Sequence, residues 1–215
     1  MIRLDIFSDP ICPWCYVGKS YLDRALEAHA EHPFEIEWHP FQLNHDMPSE
    51  GADRREYLEA KFGGKQNAVA VYSRVEEAAQ SAGITINFEA MNRVPNTMDA
   101  HRLIHWAGLE GRQAAMVSAL FRAYFRDGKD IGDKATLAAL AGDAGMDAAL
   151  AARLLATTED RADIAARDAH ARQRGVNSVP TFVIANQYVL TGAQPVALWA
   201  KVIKDLATMN DTGET

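Results

Sequence analysis

Cys12 and Cys15 are the only cysteines in the 215-residue chain, and Pro13 and Trp14 separate them. They follow a strand-like run and begin a helix-like one. Unpaired N–H groups and the positive end of the dipole at a helix N-terminus stabilise a thiolate, the nucleophilic form of cysteine. Pro13 suits the first helical turn because its missing N–H would be unpaired there. The spacing therefore predicts a redox-active thiol pair.

A structural disulfide and a zinc site are the alternatives for this pair. A disulfide closing so short a loop would restrict the unfolded chain by only about 2 kcal/mol, which adds little to a chain of this size. With His29 and His32 the cysteines approach a two-cysteine, two-histidine zinc pattern. The gap between these histidines is shorter than such sites use, so we predict no metal here.

Composition and charge narrow the classes of partner. With 48% hydrophobic residues, the chain can bury a sizeable core as one large domain or a domain with an insertion. Its net charge of -7 argues against a nucleic-acid partner. No apolar run reaches the roughly 20 residues of a membrane span, so we predict no membrane partner. Apolar and polar residues alternate at the start of the chain, which is typical of a strand and not of a signal peptide. We therefore expect a cytoplasmic location, where a CxxC pair is more often catalytic than structural.

Hydrophobic periodicity divides the chain into three zones. A strand over 2–8, a helix over about 16–30 and a strand over 34–42 form a βαβ unit with the cysteine pair at the helix entrance. Helical patterns follow over 53–62, 66–82, 96–109, 112–125, 134–144, 148–155 and 159–174. Strands over 181–185 and 188–191 and a helix from about 195 to 206 complete the chain. Strand-rich ends around a helical middle predict an α/β sheet interrupted by a helical insertion.

Four segments carry a resemblance to a known family: Ser8–Gly18 (SDPICPWCYVG), Asn96–Leu103 (NTMDAHRL), Gly175–Ile184 (GVNSVPTFVI) and Thr191–Pro195 (TGAQP). In this order they resemble the thioredoxin superfamily, its DsbA-type branch and, within that, FrnE-like oxidoreductases, over essentially the whole chain. The resemblance implies an α/β, thioredoxin-like fold with a large all-helical insertion. Residues 1–45 and 175–215 would form the thioredoxin-like domain, and residues 46–174 the insertion.

The resemblance also implies roles around the cysteine pair. Cys12 would attack a substrate disulfide, and Cys15, expected to be more buried, would resolve the mixed disulfide. Pro180 would follow a cis peptide bond and lie against the pair, so that the Val179 backbone offers strand-like hydrogen bonds to an extended substrate.

Pro13 and Trp14 lie between the two thiols and are assigned to the substrate site as well. Trp14 would shield the thiol or pack on substrate, with ordinary hydrophobic filling as the alternative.

Asn96 and His101 belong to an insertion segment that faces the active-site cleft in this family, so they are candidate substrate contacts. The alternative is that Asn96 caps a helix, with Asp99 at its third position, while His101 is buried and hydrogen-bonded. His101 and His105 also have a spacing that could hold a metal. Since no further ligand is evident, we predict none.

The predicted function is that of a dithiol–disulfide oxidoreductase acting on a disulfide-containing protein or small molecule. It requires no metal, flavin or nucleotide, and glutathione is a candidate co-substrate. The alternative is a glutathione-dependent isomerase of a small aromatic or polyketide-like compound, as in the related 2-hydroxychromene-2-carboxylate isomerases. Those relatives generally carry a serine at the first cysteine position, so Cys12 and Cys15 together favour thiol exchange. A third alternative is a peptide-binding chaperone, which would not need the cysteines.

Overall fold

The computed structural model describes residues 1–212, with side chains as far as Thr208. The strands are β1 (Ile2–Ser8), β2 (Phe34–Pro40), β3 (Ala52–Asp53), β4 (Arg93–Val94), β5 (Thr181–Ile184) and β6 (Tyr188–Thr191). The helices are α1 (Pro13–Ala28), α2 (Arg54–Phe62), α3 (Lys65–Ala82), α4 (Met98–Leu109), α5 (Gln113–Phe121), α6 (Lys134–Asp143), α7 (Ala148–Leu155), α8 (Arg161–Gln173) and α9 (Val196–Thr212). None of these helices is both long and apolar enough to span a membrane.

The central sheet joins the two ends of the chain in the order β2-β1-β5-β6. β2 runs parallel to β1, whereas β5 is antiparallel to β1 and β6 to β5. The parallel pair needs a crossover connection, and α1 supplies it. On one face Leu4, Ile6 and Phe182 are fully buried, and the Trp199 ring of α9 meets the Phe182 ring edge-on at 4.9 Å. This packed face holds α1 and α9 against the sheet.

α1 begins three residues earlier than the periodicity predicts. Cys12 is the extended residue that precedes the helix, and Pro13 occupies its first turn. The apolar pattern becomes regular only from Tyr16 onward, so it misses the turn that proline starts. Because of this start, Cys12 lies at the helix N-terminus and Cys15 lies within the first turn.

The helical middle departs from the predicted pattern at two places. The helix predicted over 112–125 divides into α5 and a π-helical turn, Arg122–Arg126. A two-stranded antiparallel ribbon, β3 with β4, also joins segments that were predicted to lack strands. Gly51 lies at φ +72°, and a Cβ there would come 2.6 Å from the Val94 carbonyl oxygen. Glycine therefore permits the close approach beside this ribbon.

α4 is fixed by a buried arginine. Arg102 is fully buried, and its Nη1 donates to Asp99 Oδ1 at 2.9 Å. Its Nη2 donates to the Leu154 carbonyl at 2.9 Å and its Nε to the Glu159 carbonyl at 2.6 Å. A buried guanidinium is tolerated because its donors are satisfied. These bonds tie α4 to the end of α7 and the start of α8.

Candidate active site

Both cysteines are free thiols inside the protein. Cys12 is 4% exposed and Cys15 is 1% exposed, so Cys15 is the deeper of two nearly buried residues. The Cys12 N–H donates to the Asp9 carbonyl at 2.9 Å, and the Cys15 N–H donates to the Cys12 carbonyl at 3.1 Å. These backbone bonds hold both side chains at the start of α1, where the helix dipole favours negative charge.

The Val179–Pro180 segment lies directly against Cys12. The Cys12 thiol donates to the Val179 carbonyl oxygen over 3.6 Å, and the Val179–Pro180 peptide bond is cis. Gly18 of α1 leaves room for this segment, since a Cβ there would stand 3.1 Å from Pro180 Cγ and 3.4 Å from Ala193 Cα. Three of the four segments that carry the family resemblance therefore meet at one place.

The buried thiol of Cys15 is held in its neutral form. Burial raises its pKa well above the ordinary value, and the neighbouring Cys12 adds to the increase. Hydrogen bonds from the Ser8 hydroxyl and the Asp9 backbone act in the opposite direction but are weaker. Cys15 thus suits a thiol that reacts second, once a partner sulfur is in place.

Asp9 is a buried carboxyl that the sequence did not single out. It is fully buried, and its oxygens accept N–H groups from Ile11 at 3.3 Å and Leu43 at 2.7 Å. Burial nevertheless raises the pKa of Asp9 to about 7. The available signal was its position three residues before Cys12, directly after a buried strand.

His101 lies behind the site, next to Asp9. Its Nε2 is 3.8 Å from Asp9 Oδ1, which is too far for a hydrogen bond, and this nitrogen has no partner among the described residues. Burial lowers the pKa of His101 to about 4. Between about pH 4 and pH 7 the two groups therefore form a neutral carboxyl beside a neutral imidazole, and not an ion pair.

Asn96 is not the N-cap of α4, because Thr97 takes that position. The Asn96 Oδ1 accepts the Met98 N–H at 2.9 Å in a local turn, and its Nδ2 donates to the Met47 carbonyl at 2.6 Å. This turn delays the helix by one residue, so Asp99 is not at the third position either. Asn96 is half-buried and His101 is only 3% exposed, so both side chains contact the interior, although Asn96 is not the predicted cap.

Trp14 and Pro13 lie at the surface of the same site. Trp14 is 36% exposed although it stands between two buried thiols, and Pro13 is half-buried. An exposed indole next to a reactive sulfur is available for contact with a substrate.

A cationic and aromatic cluster lies in the helical insertion, and no sequence pattern predicted it. The Arg54 guanidinium stands 4.7 Å from the centre of the Tyr72 ring and 5.7 Å from that of Phe88. Burial raises the pKa of Tyr72, and the Arg54 charge opposes the increase. Arg54 makes no ion pair with a carboxylate in the described part of the chain.

The zinc pattern considered for the sequence is not assembled. His29 and His32 follow the C-terminal end of α1, whereas Cys12 precedes its first residue. A 16-residue helix is about 24 Å long, so the two pairs are far apart.

Comparison with known proteins identifies the family. The model of the DSBA-like thioredoxin domain matches residues 3–204, so the chain belongs to this family. A probable DsbA oxidoreductase from Streptomyces coelicolor, SCO1869, is 30% identical, with a TM-score of 0.86 over 100% of this chain and 92% of that one. The uncharacterised protein YwbO of Bacillus subtilis (strain 168) is 27% identical over 95% of this chain and 96% of its own length.

More distant solved structures share the fold alone. The cytosolic disulfide reductase DsbM from Pseudomonas aeruginosa, solved with GSH, is 20% identical with a TM-score of 0.68 over 95% of this chain and 99% of that one. A 2-hydroxychromene-2-carboxylate isomerase is 15% identical with a TM-score of 0.75 over 99% and 100%. The predicted thioredoxin-like fold with a helical insertion is confirmed, as is the class of enzyme, a dithiol–disulfide oxidoreductase.

Proposed function

We propose that this protein exchanges disulfides through Cys12 and Cys15, with Cys12 as the attacking thiol. The observation that carries the proposal is the contact of Cys12 Sγ with the Val179 carbonyl at the N-terminus of α1, with Cys15 one turn deeper. A substrate sulfur that approaches Cys12 would take the place of this contact. The free backbone of Val179 could then bind the extended segment beside that sulfur.

The reaction runs in two balanced steps. The Cys12 thiolate attacks one sulfur of the substrate, forms a mixed disulfide and releases the first substrate thiolate, which takes up a proton. Cys15 then loses its proton and attacks Cys12 Sγ, which releases the second substrate thiol. The protein ends as the Cys12–Cys15 disulfide, oxidised by two electrons, and the substrate ends as two thiols. The reverse sequence donates a disulfide.

Glutathione disulfide is a suitable small substrate for this site. The Arg54 guanidinium of the insertion, whose helix α3 packs on α1, supplies a positive charge for a carboxylate, and Trp14 supplies an exposed apolar surface. DsbM, which shares the fold, is a cytosolic disulfide reductase solved with GSH. We extend the same setting to this chain, namely a reducing cytoplasm with glutathione as co-substrate.

A turnover assay tests the proposal. Reduction of hydroxyethyl disulfide and of glutathione disulfide is measured with dithiothreitol as the electron donor for the wild type, Cys12→Ser and Cys15→Ser. Cys12→Ser should fall to the uncatalysed rate with both substrates. If Cys12→Ser reduced these substrates as fast as the wild type, Cys12 would not be the attacking thiol.

A glutathione-dependent isomerase is the second candidate, supported by the likeness to 2-hydroxychromene-2-carboxylate isomerase. Isomerisation leaves the substrate's oxidation state unchanged, so it needs no resolving thiol. Conversion of 2-hydroxychromene-2-carboxylate that depends on glutathione and persists in Cys15→Ser would favour this candidate over thiol exchange.

A further inference from the structure

A second cavity lies on the other face of the sheet from the thiols. It has a volume of about 490 Å³ and lies between α8 and the sheet face that points away from α1. Neither cysteine lines it, nor does Val179 or Pro180. Its floor continues across the strands, because Asp5 pairs with Val183 and Val183 with Val189. We call it the sheet-face cavity.

The floor of the sheet-face cavity is largely apolar and open at one side. Phe7, Val183 and Val189 line it, and Val189 at the β6 side is 59% exposed. Apolar side chains on an uncovered sheet face are unfavourable in water unless something binds over them. A volume of this size falls within the range of about 300 to 1,000 Å³ that small-molecule pockets occupy.

One wall of the cavity is basic although the chain as a whole is acidic. Arg167, His170 and Arg174 recur at spacings of three and four residues, so they lie along one side of α8. Arg174 forms no ion pair with the side chains described, those of residues 1–208. Arg3 lines the cavity too, and its Nε contacts Asp5 Oδ1 at 2.7 Å. Three guanidinium groups therefore stand against two carboxylates, Asp5 in the lining and Glu37 beside it, which leaves a positive local charge centred on Arg174.

A bound cation fits this cavity poorly. Asp5, Glu37 and His39 bring three potential ligand atoms within 4.8 Å of one another. Arg3 already contacts both carboxylates, at 2.7 Å and 2.8 Å, and Arg167 Nη2 lies 3.4 Å from Glu37. A metal ion would have to displace both guanidinium groups, whereas an anion would join Arg174 without displacing any bond.

We infer that the sheet-face cavity binds a small organic anion with an apolar body, such as an aromatic carboxylate or sulfonate. The ring would cover Phe7 and Val183, and the acid group would reach Arg174, since guanidinium forms two parallel hydrogen bonds to such groups. Thr181 and Thr191, which also line the cavity, offer hydroxyls to polar substituents. This site is independent of thiol exchange and goes beyond the proposed function.

Fluorescence titration with two matched probes tests the inference. The probes are 1-anilinonaphthalene-8-sulfonate and N-phenyl-1-naphthylamine, which share the ring system and differ by the sulfonate. We expect one saturable site for the sulfonate, with an affinity at least about tenfold higher than for the uncharged probe. Arg174→Gln should raise the sulfonate Kd about tenfold and leave the uncharged probe unchanged, because the exposed Arg174 has no structural partner to lose.

Two further variants make the result decisive. Arg153→Gln removes an exposed arginine from α7, outside the cavity, and should leave both Kd values unchanged. Val183→Trp fills the cavity and should weaken both probes, with folding checked by circular dichroism. Absence of saturable sulfonate binding, equal Kd values for the two probes, or the same loss in Arg153→Gln as in Arg174→Gln would overturn the inference.

Discussion

Asp9→Asn should stabilise the protein increasingly as the pH rises. A carboxyl whose pKa is raised in the folded state binds a proton more tightly there than in the unfolded chain. Its effect on stability is therefore most favourable below about pH 4, declines as the pH rises, and is constant once the pH exceeds the folded pKa of about 7. The rise from 3.8 to about 7 corresponds to about 4 kcal/mol of lost stability above pH 7. Asparagine has no charge to bury, so the variant avoids this loss.

The substitution also has a constant cost. The asparagine amide can replace only one of the two acceptor oxygens that bind Ile11 and Leu43, and a lost buried bond costs about 1–3 kcal/mol at any pH. His101, with its lowered pKa of about 4, gives the opposite slope between about pH 4 and 6.5. It is present in both proteins, so it cancels in the difference. Between pH 5 and pH 8 the variant should gain about 2.7 kcal/mol relative to the wild type.

Urea unfolding of the reduced proteins at pH 5 and pH 8, followed by circular dichroism, measures this gain. Asp133→Asn is the matched control. Hydrogen bonds from the Thr136 backbone and hydroxyl lower the pKa of Asp133, so it is ionised throughout this range and its difference should not change with pH. If Asp9→Asn showed the same difference from the wild type at both pH values, Asp9 would not be a buried carboxyl with a raised pKa.

Three more predictions follow from the site and its support. In the reduced native protein, brief treatment with iodoacetamide at pH 7 should label Cys12 before Cys15, because burial raises the pKa of the Cys15 thiol. Mass mapping that finds equal labelling of both cysteines would contradict this. Arg54→Gln should raise the KM for glutathione disulfide about fivefold and leave that for uncharged hydroxyethyl disulfide unchanged, whereas an equal effect on both substrates would exclude a charge-specific role. Phe182→Ala should lower the free energy of unfolding by about 3–5 kcal/mol in urea titrations, because it removes the fully buried ring that packs against Trp199. A loss below about 1 kcal/mol would refute that packing.

The strands of the central sheet and most helices could be predicted because they are long enough to show a period. The strand predicted over 181–185 is observed as Thr181–Ile184, and the one over 188–191 as Tyr188–Thr191. β3 and β4 have two residues each, which is too short for any alternation to register. The π-helical turn after α5 keeps a helix-like pattern, so periodicity alone does not separate it from an α-helix.

The thiol pair could be predicted because its chemistry is local in the sequence. The environment of the pair could not, because it depends on contacts between distant segments. The pKa of Asp9 follows from burial beneath the Leu43 loop and α4, and Arg54 meets Tyr72 only because α2 packs against α3. The sheet-face cavity likewise depends on a contact between distant segments, because α8 and the sheet strands together form its walls.

The central claim is that Cys12 attacks and Cys15 resolves, and one mass measurement tests it most directly. The wild type and each cysteine variant are fully reduced, mixed with excess glutathione disulfide and quenched with acid. Intact-protein mass spectrometry then measures the mass of each chain. Cys15→Ser should accumulate one glutathione per chain, mapped to Cys12, while the wild type should end as the intramolecular disulfide without bound glutathione. Cys12→Ser should remain unmodified on the same timescale. A glutathione adduct that forms on Cys15 in Cys12→Ser as fast as on Cys12 in Cys15→Ser would contradict the mechanism.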